Sequence, residues 1–220
     1  MITAPQAAIR IADPGTSLLL ANTGPRPDEP HPFALQLLGG FDLTVDGEPI
    51  ELPLTAQRLI AFLALRRRPQ TRLCIAGNLW PEKNDTRATA NLRSTLWRAH
   101  FADGRSVLQC KGSMVGIVNS AWLDVWHIES VKPDSVVHDF KTNGRPHYER
   151  LFDDLLPGWY DDWVIVERER LAQLQLRIAE ALAHAIIEDG DYISATDIAY
   201  RTIALDPLGD VRDRILSWMP

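Results

Sequence analysis

Apolar residues first alternate with polar or small ones at Leu35 and Leu37, then at Phe41, Leu43 and Val45, then at Ile50 and Leu52. Period-two alternation marks half-buried strands. Asp46-Gly47 is a tight-turn dipeptide, so residues 33–52 predict a small antiparallel sheet of three short strands. The period then becomes helical. Ala56, Leu59, Ile60 and Leu63 define a first helix capped by Thr55, closed by Arg66, Arg67 and Arg68, and stopped by Pro69. Ile75, Ala76 and Leu79 share one face of a second, short helix from Thr71 that ends before Pro81. Asp85 is the expected N-cap of a third helix running to about Phe101.

In that third helix Ala88, Leu92, Thr95, Leu96 and Ala99 fall within one stripe about 100° wide, which is the packing face. Thr86, Arg87, Ala90, Arg93, Ser94 and Trp97 point away, with Asn91 and Arg98 on one flank and His100 on the other. No acid follows Asp85 on this outer face, whereas an ordinary solvated helix face alternates Glu with Lys. After Asp103-Gly104, Ser106 to Cys110 and Met114 to Val118 predict a hairpin with Lys111-Gly112-Ser113 at its tip.

The remainder is mostly helical. Trp163, Val166, Leu171, Leu174, Ile178, Ala181, Leu182, Ala185 and Ile186 trace a long amphipathic helix bounded by Asp189-Gly190-Asp191. Ile193 to Leu205 predicts another, ended by Asp206-Pro207, and a third starts at Asp210. Residues 1–32 hold six prolines and no sustained period, and read as a disordered tail. No run of about 18 apolar residues exists and the N-terminus has no signal-peptide pattern, so no membrane partner is expected. The two cysteines, Cys74 and Cys110, are too few for a disulfide framework and read as buried structural residues in a cytoplasmic protein.

Charge changes the picture. The chain carries a formal net charge of −6, which disfavours a polyanion partner on average. Between Thr55 and Gly112, however, eleven Lys and Arg face three Asp and Glu, a local charge of +8. The rest holds twelve basic and twenty-six acidic residues, a charge of −14. The basic segment is the one containing the acid-free helix face. Arginine donates bidentately to guanine or phosphate and asparagine reads adenine, so this helix is a candidate reader of the major groove. A cationic hairpin tip beside it is a candidate wing on the backbone or minor groove.

Three strands, three helices and a hairpin, in that order, resemble an OmpR/PhoB-type winged helix. The motifs are more specific. Leu38-Gly39-Gly40-Phe41, Asp46-Gly47, Leu54-Thr55-Ala56-Gln57-Arg58 and Leu63-Ala64-Leu65 form one group. Leu79-Trp80-Pro81, Ala90-Asn91-Leu92-Arg93 and Leu96-Trp97-Arg98 form the other. Together they resemble the DNA-binding domain of the Streptomyces antibiotic regulatory protein family. Leu155-Leu156-Pro157-Gly158-Trp159-Tyr160-Asp161-Asp162-Trp163-Val164 and Glu167-Arg168-Glu169-Arg170-Leu171 are similar to the opening of that family's bacterial transcriptional activation domain. Gly190-Asp191-Tyr192, Ala195, Ala199 and Ala204-Leu205-Asp206-Pro207-Leu208 resemble its tetratricopeptide-like helix pair.

The resemblance spans residues 33 to 218 and departs from the family at two points. Ala99-His100 stands where a Leu-Arg pair is usual, and the helical module is short of the family's further helices, so it reads as truncated. It implies a mixed fold, an α+β winged helix-turn-helix domain at 33–120 followed by an all-α tetratricopeptide-like domain at 121–220. It also implies binding to promoter direct repeats as a side-by-side homodimer and contact with RNA polymerase and its sigma factor.

No enzyme is expected. The six histidines show no His-x-x-x-His spacing and the cysteines no Cys-x-x-Cys, so neither a metal nor a cofactor site emerges. Asp153, Asp154, Asp161 and Asp162 are dense but lack a nucleophile, base and orienter set, so no catalytic residue is assigned. The expected DNA-contacting residues are Arg72, Arg87, Asn91, Arg93, Ser94, Trp97, Arg98 and Lys111. A second functional reading stays open: a protein-interaction module whose degenerate winged helix no longer binds DNA and whose helical half regulates or sequesters a partner.

Overall fold

A computed structural model describes residues 31–100, 104–132 and 149–220. The tail reading, up to residue 30, lies outside the described residues, as do Phe101 and Asp103. The chain begins with β1 (Phe33–Gln36), which pairs antiparallel with β2 (Asp42–Val45). Phe33, Leu35, Leu43 and Val45 point inward, as the alternation requires. Asp46 and Gly47 both have positive φ (51° and 87°), the geometry of a two-residue type I′ turn. That turn sets the register and makes Glu48–Pro49 the third strand, β3. The expected strand at Ile50 and Leu52 is therefore displaced. Ile50 gives one hydrogen bond to the Leu43 carbonyl (2.8 Å), but Pro49 has no N–H with which to extend a ladder.

α1 (Leu54–Arg66) is capped by Pro53, not Thr55. Pro53 already sits at φ −57° and accepts from the Ala56 and Gln57 N–H groups, so the helix starts one residue before Thr55. The Thr55 hydroxyl is left buried without a partner. Every residue from Leu59 to Leu65 is buried, as in a helix enclosed on all sides. Its neighbours are β4 (Gln70–Thr71) with α2 (Arg72–Leu79), then α3 (Asp85–Arg98). A hairpin of β5 (Leu108–Lys111) and β6 (Met114–Ile117) closes the other side. β4 pairs with β6, so the hairpin is part of a three-stranded sheet that the sequence pattern did not disclose.

The chain next returns to the first sheet. β7 (Ala121–Leu123) lies parallel to β1, matching Leu35 with Leu123, and gives the strand order β3-β2-β1-β7. α4 (Asp124–Ser130) follows and covers the end of α1, where the Trp126 indole N–H donates to the Ala64 carbonyl (2.8 Å). Arg67, held at φ 57° just past α1, ion-pairs with Glu129.

The second half holds α5 (Asp162–Glu188), α6 (Tyr192–Arg201) and α7 (Val211–Ser217). Asp191 caps α6 by accepting from the Ser194 N–H at 3.1 Å. The helix expected to reach Leu205 ends at Arg201 and tightens into a 3₁₀ turn over Thr202–Ala204. In α5 the buried stripe contains Val164, Gln175, Leu176 and Ala179, while Val166 is exposed, which corrects its place in the expected stripe. Gln175 is buried because its amide donates to the Leu151 and Asp153 carbonyls (2.7 and 3.0 Å).

The halves share one core. Trp159 stacks on Phe41, and Trp163 packs edge-on against both Phe62 and Trp159. Leu38 bridges to Leu155, Leu156 N–H donates to the Leu37 carbonyl (2.9 Å), and Gly39 N–H to that of Asp154 (2.9 Å). Arg168 of α5 donates to the carbonyls of Leu155 (2.9 Å), Leu156 (2.8 Å) and Trp159 (3.1 Å). Asp124 supports the same joint from beneath. One carboxylate oxygen accepts from Leu37 and Leu38 N–H (2.8 and 2.9 Å), the other from Val125 N–H (2.7 Å). Burial pushes the Asp124 carboxyl up to about 6, against the opposing pull of those hydrogen bonds. The fold class is thus mixed as expected, a winged helix-turn-helix arrangement followed by helices.

Candidate nucleic-acid interface

α2, α3 and the β5–β6 hairpin all pack on α1. Thr71 caps α2 by accepting from the Cys74 N–H (3.2 Å). Asn84, and not Asp85, caps α3, its side-chain oxygen accepting from Arg87 N–H at 3.0 Å. Asp85 instead occupies the first helical turn, where a carboxylate suits the positive end of the helix dipole. α3 ends at Arg98, earlier than the expected Phe101.

The packing stripe is the one expected: Ala88, Leu92, Thr95, Leu96 and Ala99 are buried. On the opposite side Thr86, Arg87, Ala90, Arg93, Ser94, Trp97 and Arg98 are exposed, and Asn91 is half-buried. Trp97 is 79% exposed, so its indole ring is open to a partner on the outer face of α3. His100 is exposed at the end of the helix, one ring nitrogen 2.8 Å from the Leu96 carbonyl.

Arg72 opens α2 half-buried, and its backbone N–H donates to the Ser113 carbonyl at 3.0 Å. This bond, with the β4–β6 pairing, ties the hairpin tip to the entrance of α2. Lys111 ends β5 opposite Met114, so the loop itself is Gly112-Ser113. Gly112 has φ 59°, as the first central residue of a type II′ turn requires. Gly116, one turn below, packs where a Cβ would sit 3.2 Å from the Pro69 Cα, so the hairpin lies hard against the turn after α1.

None of Arg72, Arg87, Arg93, Arg98 or Lys111 makes an ion pair among the described residues. Arg105, nearby, is by contrast held by Asp46 at 2.6 Å. Unpaired guanidinium groups on one rigid end form a positive field with free donors. The structure therefore places the eight expected residues on α2, α3 and β5, six of them exposed and Arg72 and Asn91 half-buried.

The cysteine expectation is corrected: both Cys74 and Cys110 are exposed. Cys74 lies on the outer face of α2 and Cys110 precedes Lys111, and an apolar neighbourhood alone did not distinguish these rims from the core. Thr86 and Ala90 were absent from the expected contacts although helical arithmetic puts them on the outer face. Leu73, expected at the margin of the apolar face of α2, is 65% exposed beside Arg72, whereas Trp80, expected at the other margin, is buried.

Among the described residues no group of three or more His, Cys, Asp or Glu side chains could hold a metal, and no helix is long and apolar enough to cross a membrane.

No family model and no curated protein sequence matches the chain. Among solved structures it is similar to Mycobacterium tuberculosis EmbR in complex with a low-affinity phosphopeptide, at a TM-score of 0.42 and 19% sequence identity. The match covers 86% of this chain and 66% of that one, so the chain spans just under two thirds of its length.

Proposed function

We propose that this protein is a DNA-binding transcription regulator, an activator of the Streptomyces antibiotic regulatory protein kind that its motifs resemble. The observation that carries the reading is the exposed, acid-free face of α3 with arginines free of ion pairs. α3 lies in the major groove. Arg87, Arg93 and Arg98 meet phosphates or guanine, Asn91 and Ser94 a base edge or phosphate, and Trp97 sugar or base surface. Lys111 approaches the backbone or minor groove, and Arg72 holds a phosphate at the entrance of α2.

Pairs of molecules bind direct repeats in promoters. The acidic remainder of the chain, repelled by the phosphates, faces outward, and its helices contact RNA polymerase and its sigma factor. Residues from α2, α3 and β5 act together because the shared core and the Arg72–Ser113 bond hold them as one surface.

Salt titration of the full chain on a mixed-sequence duplex tests the reading. Five phosphate contacts release counterions, so affinity falls about 10²–10³-fold between about 50 and 200 mM salt. Arg93→Ala weakens binding and flattens the slope by about 0.9. Negligible affinity at about 50 mM salt rejects DNA binding and leaves the protein-interaction module as the reading.

A further inference from the structure

The exposed face of α3 is not uniformly cationic. At about 100° per residue, the direction opposite the buried stripe is occupied by Ala90 and Trp97, with Thr86 and Ser94 within about 45° on either side. Arg87, Arg93 and Arg98 stand about 55–75° from that direction, on the two flanks. The crest is thus methyl, hydroxyl and indole, and the charge lies along its edges. A helix with its side chains is about 10–12 Å across and fills a major groove about 12 Å wide. The crest then meets the groove floor and the flanks meet its walls, where the phosphates are.

Resting on the DNA-binding reading above, we infer that α3 selects thymine-rich duplex through the 5-methyl groups of thymine, with Thr86, Ala90 and Trp97 as the specificity-determining residues and the flanking arginines anchoring the backbone. Each of these three presents an apolar surface, and apolar contact with the thymine methyl is the direct readout open to such side chains. Guanine offers its major-groove edge two acceptors and no methyl, so the apolar surface of the crest gains nothing from it and only the hydroxyl and indole donors could meet it. The exposure of Trp97 has the same explanation: its ring is covered only when a base step lies against it. From Thr86 to Trp97 the crest is about 16 Å long, close to the rise of five base pairs.

The test uses the full chain and duplexes it selects from a random-sequence pool. Selected sites are enriched in adjacent thymines. Replacing those thymines by deoxyuridine, which removes only the methyl, weakens binding about fourfold for each contacted group. Trp97→Ala and Ala90→Gly, both at exposed positions, reduce the preference for thymine over deoxyuridine while the salt slope stays as in the parent. Equal affinity for the two duplexes, with salt dependence retained, overturns methyl reading and leaves DNA binding intact. No binding to any duplex at low salt overturns both.

Discussion

Phe62 of α1 and Trp163 of α5 meet edge to face, their ring centroids 5.4 Å apart at an interplanar angle of 88°. The contact joins the enclosed helix of the first half to the opening of the second, and edge-to-face geometry is favoured by the aromatic quadrupole. Burial of Trp163 to 7% exposure makes this joint part of the core and not a sliding surface.

The two halves therefore unfold together. Denaturant unfolding followed by far-ultraviolet circular dichroism and by tryptophan fluorescence gives coincident curves. Trp163→Ala lowers stability by about 3–5 kcal/mol, as for other large aromatic deletions from a core, and separates the two probes. Two separate transitions in the parent protein contradict the shared core.

Arg168 holds the loop that carries Trp159. Its side chain is 23% exposed, so solvent weakens its contact with Asp154 (3.0 Å), and its importance lies in the three carbonyls it satisfies. Arg168→Ala costs about 2–4 kcal/mol and shifts the emission of Trp159 and Trp163 toward the red. Arg168→Lys recovers only part of the loss, because an ammonium cannot reproduce the fork of guanidinium donors. Full recovery by lysine counts against this role.

Asp124 makes stability depend on pH. Its carboxyl is raised in the folded protein to about 6 from the ordinary aspartate value of 3.8, because it is buried. The folded state consequently binds a proton that the unfolded state has released. The stabilising contribution is complete below about pH 4 and is lost as the pH rises through 6. Across that window the parent protein loses about 3 kcal/mol relative to Asp124→Asn, which does not titrate. Asparagine also turns a donor toward the Val125 N–H, so the variant is less stable than the parent at the acid end. Parallel stability curves for the two proteins exclude the assignment.

Cys74 and Cys110 react as surface thiols. A thiol reagent titrates two groups per native chain, with no slow fraction released by denaturant. A bound duplex slows the modification of Cys110, which adjoins Lys111. A thiol that reacts only after unfolding refutes the exposed placement.

Residues whose roles are set within one helix were legible in the sequence. The buried stripe of α3 depends only on the 3.6-residue period, and all five members fall where the period puts them. Capping was less legible, since Asn84 and Asp85 are both good N-caps and one residue of register decides between them. β4 and β7 were invisible because strands of two and three residues have no period to read, and β7 pairs with a strand far away in sequence. The Trp159–Tyr160–Asp161–Asp162–Trp163 motif stood out, yet nothing local encodes its partners Phe41 and Phe62. On the candidate interface, charge and outward direction were readable. The separation of a neutral crest from cationic flanks was available from the same helical wheel, and burial of the five stripe residues leaves its zero unchanged.

The parallel pairing of β1 with β7 has a consequence for synthesis on the ribosome. Leu35 is translated long before its neighbour Leu123 exists, and at about 5–20 residues per second the delay is on the order of 4–18 s. Throughout that interval the nascent first strand offers an unprotected row of amide and carbonyl groups, flanked by Phe33 and Leu35, to any other extended chain nearby. The newborn protein is thus most vulnerable to clumping before Leu123 has been added, and a chaperone covering the early hairpin would matter more to its yield than one acting on the finished helices.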